Sequence, residues 1–433
     1  MMRTLRFCFV TTFYPPYNFG GDGIGVQRLA RALARRGHHV TVVSDLDAFA
    51  ALSPTLPPAP PPDDSGVVEV RLQSRLGRVS SLLTQQSGRP VVHRAQLREL
   101  LNETPFDVVN FHNISLVGGP GLLAYGGRAA RIYMAHEHWL VCPSHVLWRH
   151  NRERCDGREC FRCVLHYRRP PQLWRYTGYL RRALRHVDVF IAMSEFSRDK
   201  HREFGFPHDM EVVPYFLPDR ANAATAAVEA SPHPRPYFLF VGRLERLKGL
   251  DDVIPAFRKY RNADLLIAGT GQHEAELKRL AGDDPQIHFL GNVPNQELDR
   301  YYRYAIALLV PSVGFETFGI ILIEAFRQAT PVIARRIGPF PEIVSQAGAG
   351  ELFESERELL ESMERLQTDT ARRDAQAAAG RRAFVERWSE DAVVPKYLQV
   401  VSKAMKRRDT RQQGMVRHDS RELNACDSDL SLN

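Results

Sequence analysis

Two carboxylates eight positions apart are the first residues in this chain whose types and spacing could do chemistry. Glu316 stands in Pro311-Ser312-Val313-Gly314-Phe315-Glu316-Thr317-Phe318-Gly319, and Glu324 follows in Ile320-Ile321-Leu322-Ile323-Glu324-Ala325. The apolar run 305–310 ahead of them reads as a buried strand and the residues behind as a helix. Glu316 is therefore expected on a strand-to-helix turn, where open parallel sheets bind ligands. Glu324 lies about two helical turns further on, so one carboxylate faces a ligand at the helix tip and the other reaches it from the side. Free amides around Thr317, Phe318 and Gly319 offer an anion site at that helix start. A phosphate-bearing ligand with hydroxyls on both sides suits the arrangement.

Three other turns fall at strand ends. Val241-Gly242-Arg243-Leu244-Glu245-Arg246-Leu247-Lys248-Gly249 joins a forked guanidinium to a point charge, a pairing suited to pyrophosphate, although a solvated basic turn would read the same way in isolation. Gly269-Thr270-Gly271 closes the next strand, and turns from one parallel sheet converge on one crevice. Near the N-terminus, Gly20-Gly21-Asp22-Gly23-Ile24-Gly25 leads into a helix through Val26, Leu29, Ala30 and Leu33. Its glycines let backbone approach a ligand closely. They are not the dinucleotide fingerprint, since from Gly21 the third glycine of that pattern would fall at Val26.

The elements that must carry these turns are legible as alternating strands and helices, the pattern of parallel sheets covered by helices. Strands are expected near 5–12, 39–44, 67–72, 107–112, 131–136, 187–193 and 211–214, then near 237–242, 264–269, 286–290, 305–311 and 331–335. The fold class expected is α/β, with two Rossmann-like domains facing each other across a cleft. The first covers 1–216 with a Cys-rich insertion at 142–163, a linker follows at 217–236, and the second covers 237–387. Helical spacing of Val393, Tyr397, Val400, Val401 and Ala404 predicts a terminal helix over 388–406. The polar tail 407–433 is expected to be disordered, and the proline-rich stretch 53–66 to be an extended loop. A formal charge of +8 on 433 residues favours anionic partners without choosing among nucleotides, nucleic acid and acidic membranes. No run approaches the roughly 18 apolar residues that span a bilayer. The N-terminal apolar stretch reads as a strand rather than a signal peptide. Six cysteines in so long a chain make no disulfide scaffold, so the expected setting is the cytoplasm.

Taken together, Gly20-Gly21, Gly242-Arg243-Leu244 with Lys248-Gly249, Ala268-Gly269-Thr270-Gly271, Leu290-Gly291-Asn292-Val293, Glu316-x₇-Glu324, Thr330-Pro331-Val332-Ile333 and Gly338-Pro339-Phe340-Pro341-Glu342 resemble glycosyltransferase family 4, in order over roughly residues 5 to 400. The resemblance implies a GT-B fold and a retaining transfer of sugar from a nucleotide diphosphate donor to a hydroxyl acceptor, with no catalytic metal; no nucleic-acid partner is expected, and a lipid-linked acceptor follows only if the basic-aromatic segment 164–187 meets a membrane. It implies that Arg243 and Lys248 neutralise the pyrophosphate, Glu316 binds the transferred sugar and Glu324 the ribose. Thr317, Phe318 and Gly319 would contact donor sugar and phosphate, with Gly242 and Gly271 in the adjoining turns. Asn292 and Val293 would lie beside the base, and Gly20 and Gly21 would let the first domain close over the donor. In Arg131-Ile132-Tyr133-Met134-Ala135-His136-Glu137-His138-Trp139 the family's cleft histidine falls at His136, with His138 and Glu137 as alternates. Pro214-Tyr215 stands where the family has Pro-Asn.

Two further segments lie outside that pattern. Cys142, Cys155, Cys160 and Cys163, spaced C-x₁₂-C-x₄-C-x₂-C, favour a tetrahedral structural zinc. Unligated thiols and an iron–sulfur set are the alternatives, and His145, His150 or His166 could each replace a cysteine. From 164 to 187 no acidic residue occurs, while Arg168, Arg169, Arg175, Arg181, Arg182 and Arg185 interleave with Trp174, Tyr176 and Tyr179. This composition suits peripheral contact with the inner face of a membrane, or equally a solvated helix whose aromatics pack inward. The rival functions are a nicotinamide-dependent oxidoreductase and a non-catalytic GT-B scaffold.

Overall fold

The computed structural model describes residues 3–53, 55, 57–58, 65–219 and 230–429, with backbone alone for Asn295 and 414–429. Most of the proline-rich stretch and the middle of the 217–236 linker lie outside the described residues.

The first half carries strands β1 (Arg6–Val10), β2 (His39–Asp45), β3 (Val67–Leu72), β4 (Val108–Phe111), β5 (Ala130–Ala135), a two-residue hairpin of β6 (Trp148–Arg149) and β7 (Glu153–Arg154), then β8 (Val189–Ala192) and β9 (Met210–Val212). Seven of them form a parallel sheet in the order β3-β2-β1-β4-β5-β8-β9. The second half carries β10 (Tyr237–Val241), β11 (Asp264–Ala268), β12 (Ile287–Gly291), β13 (Leu308–Val310), β14 (Val332–Arg335) and β15 (Gly350–Phe353). These pair in the parallel order β12-β11-β10-β13-β14-β15. The expected strands appear within a few residues. The edge strand β15 does not show in the sequence, because its four residues are mostly half-buried and carry no continuous apolar run.

Strands in these sheets are apolar on successive positions because both faces are covered. Phe7 and Phe9 point into one core while Cys8 and Val10 point into another. Tyr237 and Leu239 are likewise divided from Phe238 and Phe240. One of these cores runs through both halves of the chain, and the C-terminal segment supplies the join. A π-helical turn at Phe384–Trp388 stacks Trp388 on Phe326 of the second half, with ring centroids 5.8 Å apart. The helix Glu390–Asp429 then crosses to the first half, where the hydroxyl of Tyr397 accepts a hydrogen bond from Asn110 Nδ2 at 2.9 Å. Its start is held by ion pairs of Arg35 and Arg36 to Glu390 and of Arg36 to Asp391. Leu217 N donates to Trp388 O, and Glu390 N donates to Leu217 O, so the linker's first residue is stitched to the crossing point.

The expectation of disorder over 407–433 needs correction for the described residues 407–429; residues 430–433 lie outside them. The terminal helix begins at Glu390 and continues past 406 as far as Asp429. Arg407 donates to Asp188 O, Arg408 to Gly127 O, Arg411 to Arg185 O and Gln412 to Arg128 O, and Arg411 also pairs with the Asp188 carboxylate at 3.2 Å. Long polar side chains, not an apolar stripe, anchor this stretch, and hydrophobic periodicity is blind to such an anchor.

The buried Trp388 closes the join between halves. Trp388→Ala should lower stability by about 3–5 kcal/mol through lost burial and the cavity left behind, read as a shift in the urea unfolding midpoint.

Candidate active site

In each sheet the strand order reverses beside a central strand, at β1/β4 in the first and β10/β13 in the second. Ligands of open parallel sheets bind at the carboxyl ends of strands at such points. There the two halves enclose a cleft of about 980 Å³ whose walls include Gly20, Gly21 and Asp22 after β1, Asn113 after β4, His136 and His138 after β5, Gly242, Arg243 and Lys248 after β10, and Gly314 to Ile320 after β13.

Two helix starts face each other across it. The helix Gly21–Arg35 begins after Gly20, and the helix Ile320–Arg327 after Gly319. A Cβ placed on Gly21 would meet Ile320 Cγ2 at 3.8 Å, so the two helix tips, whose first amides have no intrahelical partner, are nearly in contact. Gly319 holds φ +103°, which an L side chain rarely adopts, and a Cβ there would strike Phe340 at 2.8 Å. That conformation turns the chain into the helix while Phe318 is buried behind it.

Lys248 Nζ lies 2.7 Å from Glu316 Oε1, which also accepts from Ser312 Oγ at 2.8 Å. Burial alone would raise the pKa of Glu316, but Lys248, these hydrogen bonds and the more distant Arg243 outweigh it, and the net shift is downward. Glu316 is thus held ionised. Arg243 pairs with Glu245 at 2.9 Å and remains largely exposed at the mouth.

His136 lies deeper. Its Nε2 is 2.8 Å from His112 Nδ1 and its Nδ1 is 2.5 Å from the Tyr215 hydroxyl. Burial lowers its pKa to about 4, partly opposed by Asp22. The ring is therefore a neutral, doubly bonded element of the cleft floor. Its carbonyl accepts the Thr317 hydroxyl at 2.8 Å, a direct link from the first half to the Glu316 turn. His138 is buried too, stacked on His201 with centroids 5.3 Å apart, and Glu137 bonds His145 at 2.7 Å.

Four expected donor residues lie outside the lining of this cavity. Gly271 also serves packing, because a Cβ there would fall 2.3 Å from Leu244 O, so the glycine lets two strand-end turns stack. Asn292 and Val293 sit after β12, at the sheet edge. Glu324 accepts from the Tyr302 hydroxyl at 3.0 Å and approaches Arg28 of the first half at 3.9 Å; burial raises its pKa and Arg28 opposes the shift. Sequence reasoning named Asp22 in the glycine turn but gave it no role. It lines the cleft 3.5 Å from Asn113 Nδ2, and its position one residue past the helix start was the available signal.

With this geometry in view, comparison with known proteins is direct. The glycosyltransferase family 4 model matches residues 19–218 and the model for glycosyl transferases group 1 matches residues 223–383. The chain belongs to glycosyltransferase family 4. It is 23% identical over 347 residues to an uncharacterized 42.6 kDa protein in the cps region of Klebsiella pneumoniae, covering 77% of this chain and 86% of that one. To the phosphatidyl-myo-inositol mannosyltransferase of Mycolicibacterium smegmatis it is 27% identical over 348 residues, 78% of each chain. Among solved structures, sucrose-phosphate synthase from Thermosynechococcus elongatus aligns with TM-score 0.70 at 18% identity over 93% of this chain and 99% of that one. Anabaena HepE in complex with UDP aligns at 0.62 and 16% identity over 92% and 100%. This family-4 glycosyltransferase therefore has the GT-B fold.

Its buried histidines give a pH dependence of definite sign. His112 and His138 lie well below the ordinary histidine range and His136 and His201 at about 4, each chiefly through burial. In the unfolded chain they protonate near 6.5, so below that pH the unfolded state binds more protons and stability falls as pH drops. Asp45, raised by burial to about 7, acts in the opposite sense and offsets only part of this. The urea midpoint should decrease from about pH 7 to about pH 5, and less steeply in His201→Gln.

Proposed function

We propose that this glycosyltransferase moves a sugar from a nucleoside diphosphate sugar to a hydroxyl acceptor with retention of anomeric configuration. The observation that carries the reading is the Lys248–Glu316 pair at 2.7 Å, beside two adjacent helix starts in one interdomain cleft. The diphosphate lies against Arg243, Lys248 and the free amides at Phe318 and Gly319, whose positive charge stabilises the departing phosphate as the sugar C1–O bond breaks. The acceptor oxygen bonds C1 on the same face, and its proton passes to the departing phosphate oxygen. Glu316 binds the transferred sugar, and Glu324 the ribose through a carboxylate held near Tyr302. No divalent metal is assigned to this step, because the two cations already supply the charge. His136 positions the floor of the cleft and the Thr317 turn rather than titrating.

The acceptor reading is lipid-linked. Leu82, exposed, lines the first-domain side of the cleft beside Arg78, and the exposed Leu76, Val79, Leu173 and Tyr176 lie in the segments that carry Arg78, Leu82, Arg169 and Gln172 to its wall. The basic-aromatic segment behind it divides its roles. Trp174 turns into the core and donates Nε1 to Gln85 O at 2.8 Å, while Leu173 and Tyr176 stay exposed. Among the described residues no helix is long and apolar enough to cross a membrane, so contact with lipid would be peripheral. The mannosyltransferase relative, named for phosphatidyl-myo-inositol, supports this choice.

Calorimetric titration with UDP, GDP and NAD distinguishes the rival functions. Binding of a nucleoside diphosphate supports transfer, NAD binding alone would indicate an oxidoreductase, and no nucleotide binding would indicate a scaffold. Mass spectrometry of products from a donor panel with membrane lipid extract then identifies sugar and acceptor. Glu316→Ala should reduce kcat at least about a hundredfold with little change in nucleotide affinity, whereas Glu324→Ala should weaken nucleotide binding about tenfold; equal effects of both changes on both readouts would refute the division of roles. Leu173→Glu with Tyr176→Glu should reduce sedimentation with anionic vesicles while leaving nucleotide binding unchanged.

A further inference from the structure

The insertion between Trp139 and Trp174 is held by a small apolar core, by ion pairs of Arg149 to Glu153 and Asp156 at 2.8 and 2.7 Å, and by the Tyr167 hydroxyl donating to Trp148 O at 2.7 Å. Its regular structure is the two-residue hairpin β6–β7 and the helix Cys160–His166. Its own core consists of Cys142, Leu147 and Phe204, with Val141, Cys155 and Phe315 packed against them. Phe161 and Leu165 of the short helix face outward. Yet the backbone is forced: among the described residues six non-glycine positions have positive φ, and five of them, His145, Leu147, His150, Asn151 and Arg168, fall in this segment. A small module with a strained backbone and a minimal core needs a staple.

Four thiols are available for it, contributed by the turn after Trp139, the strand end after β7 and the helix Cys160–His166. All four are free: Cys155 packs on the Cys142 cluster and its amide donates to Leu147 O at 2.8 Å, Cys163 Sγ reaches the next carbonyl, Trp148 O, at 4.0 Å, and Cys160 lies one turn before Cys163 on the helix. Cys163 Sγ already accepts the His150 amide at 3.3 Å, the kind of N–H···S bond that suits a thiolate ligand. An independent observation concerns charge. Arg175 lies over Trp139 and Trp174, at 5.2 and 4.7 Å; its Nε donates to the neutral Gln172 Oε1 at 2.5 Å, and its Nη2 is sealed from solvent without a hydrogen-bond partner, with Cys142 and Cys160 nearby. An enclosed guanidinium beside neutral thiols is poorly compensated, whereas beside a dianionic metal–tetrathiolate it is matched.

We propose that Cys142, Cys155, Cys160 and Cys163 bind one zinc ion, with Arg175 as its outer counter-charge, and that the metal fixes the acceptor-side wall of the cleft. Binding exchanges four S–H protons for four Zn–S bonds. No three of the sulfurs lie within 4.8 Å of one another here, against roughly 3.8 Å between ligands of a tetrahedral ZnS₄ centre, so the ion draws them inward. The wall is a direct extension of the module: Ser144, His145 and Val146 line the cleft, and Phe315, next to Glu316, packs on the Cys142 cluster.

Elemental analysis of the full chain, purified without chelator, should give about one zinc per chain. Cys155→Ser and Cys163→Ser should each lower it at least tenfold while circular dichroism and nucleoside diphosphate binding persist. If those variants fail to fold, the wild-type chain loaded with cobalt(II) still decides, because tetrahedral thiolate cobalt has intense visible absorption. A metal-free chain with unchanged thermal stability after zinc addition, iron with acid-labile sulfide, zinc retained in both variants, or a cobalt form lacking those bands would each overturn the proposal.

Discussion

The hydroxyl of Thr317 bonds His136 O in the first half at 2.8 Å, while the carbonyl of Thr317 accepts Ser194 Oγ from the same half at 2.6 Å. The turn bearing Glu316 is therefore gripped on both sides by the opposite domain, one residue from the carboxylate. A second contact reinforces it: Glu342 accepts the amides of Glu195 and Phe196 at 3.2 and 3.1 Å, so a carboxylate of the second domain caps a helix of the first. Register between the sheets is set where the chemistry is proposed, which lets two domains joined by one shared core present one site.

This dependence explains why so many polar groups are buried near the cleft. His112, His136, His138 and His201 are all nearly inaccessible. A buried charge there would be costly, and burial keeps the rings neutral. Lys248 and Glu316 remain ionised because Coulomb attraction at 2.7 Å overcomes desolvation. Neutral rings shape the floor, while charged side chains of both halves, Asp22 and Arg78 as well as Arg243, Lys248 and Glu316, line the walls.

Much of the fold was legible because parallel strands buried on both faces are continuous apolar runs, and these survive as a pattern in one sequence. The edge strand β15 and the docked residues 407–412 were not, since half-buried edges and arginine-to-carbonyl anchors leave no apolar period. In the site, Glu316, Arg243, Lys248, Gly20 and Gly21 were legible from glycine-rich strand ends and His136 from the family resemblance, and the structure brings them together. Gly271 was legible as a turn glycine but not as a packing one, because a glycine that admits ligand and one that admits a neighbouring backbone look alike in sequence.

By itself the sequence determined the α/β class, the two successive strand series, the terminal helix and the motifs that mark glycosyltransferase family 4, all of which depend on local residue types and spacing. Only the tertiary structure decided that Lys248 sits on Glu316, that His136 is locked between His112 and Tyr215, and that Glu324 stands back beside Tyr302 and Arg28. Those facts depend on how two sheets meet, and residues 68, 79 or 296 positions apart along a chain carry no mark of being neighbours until the cores beneath them have packed.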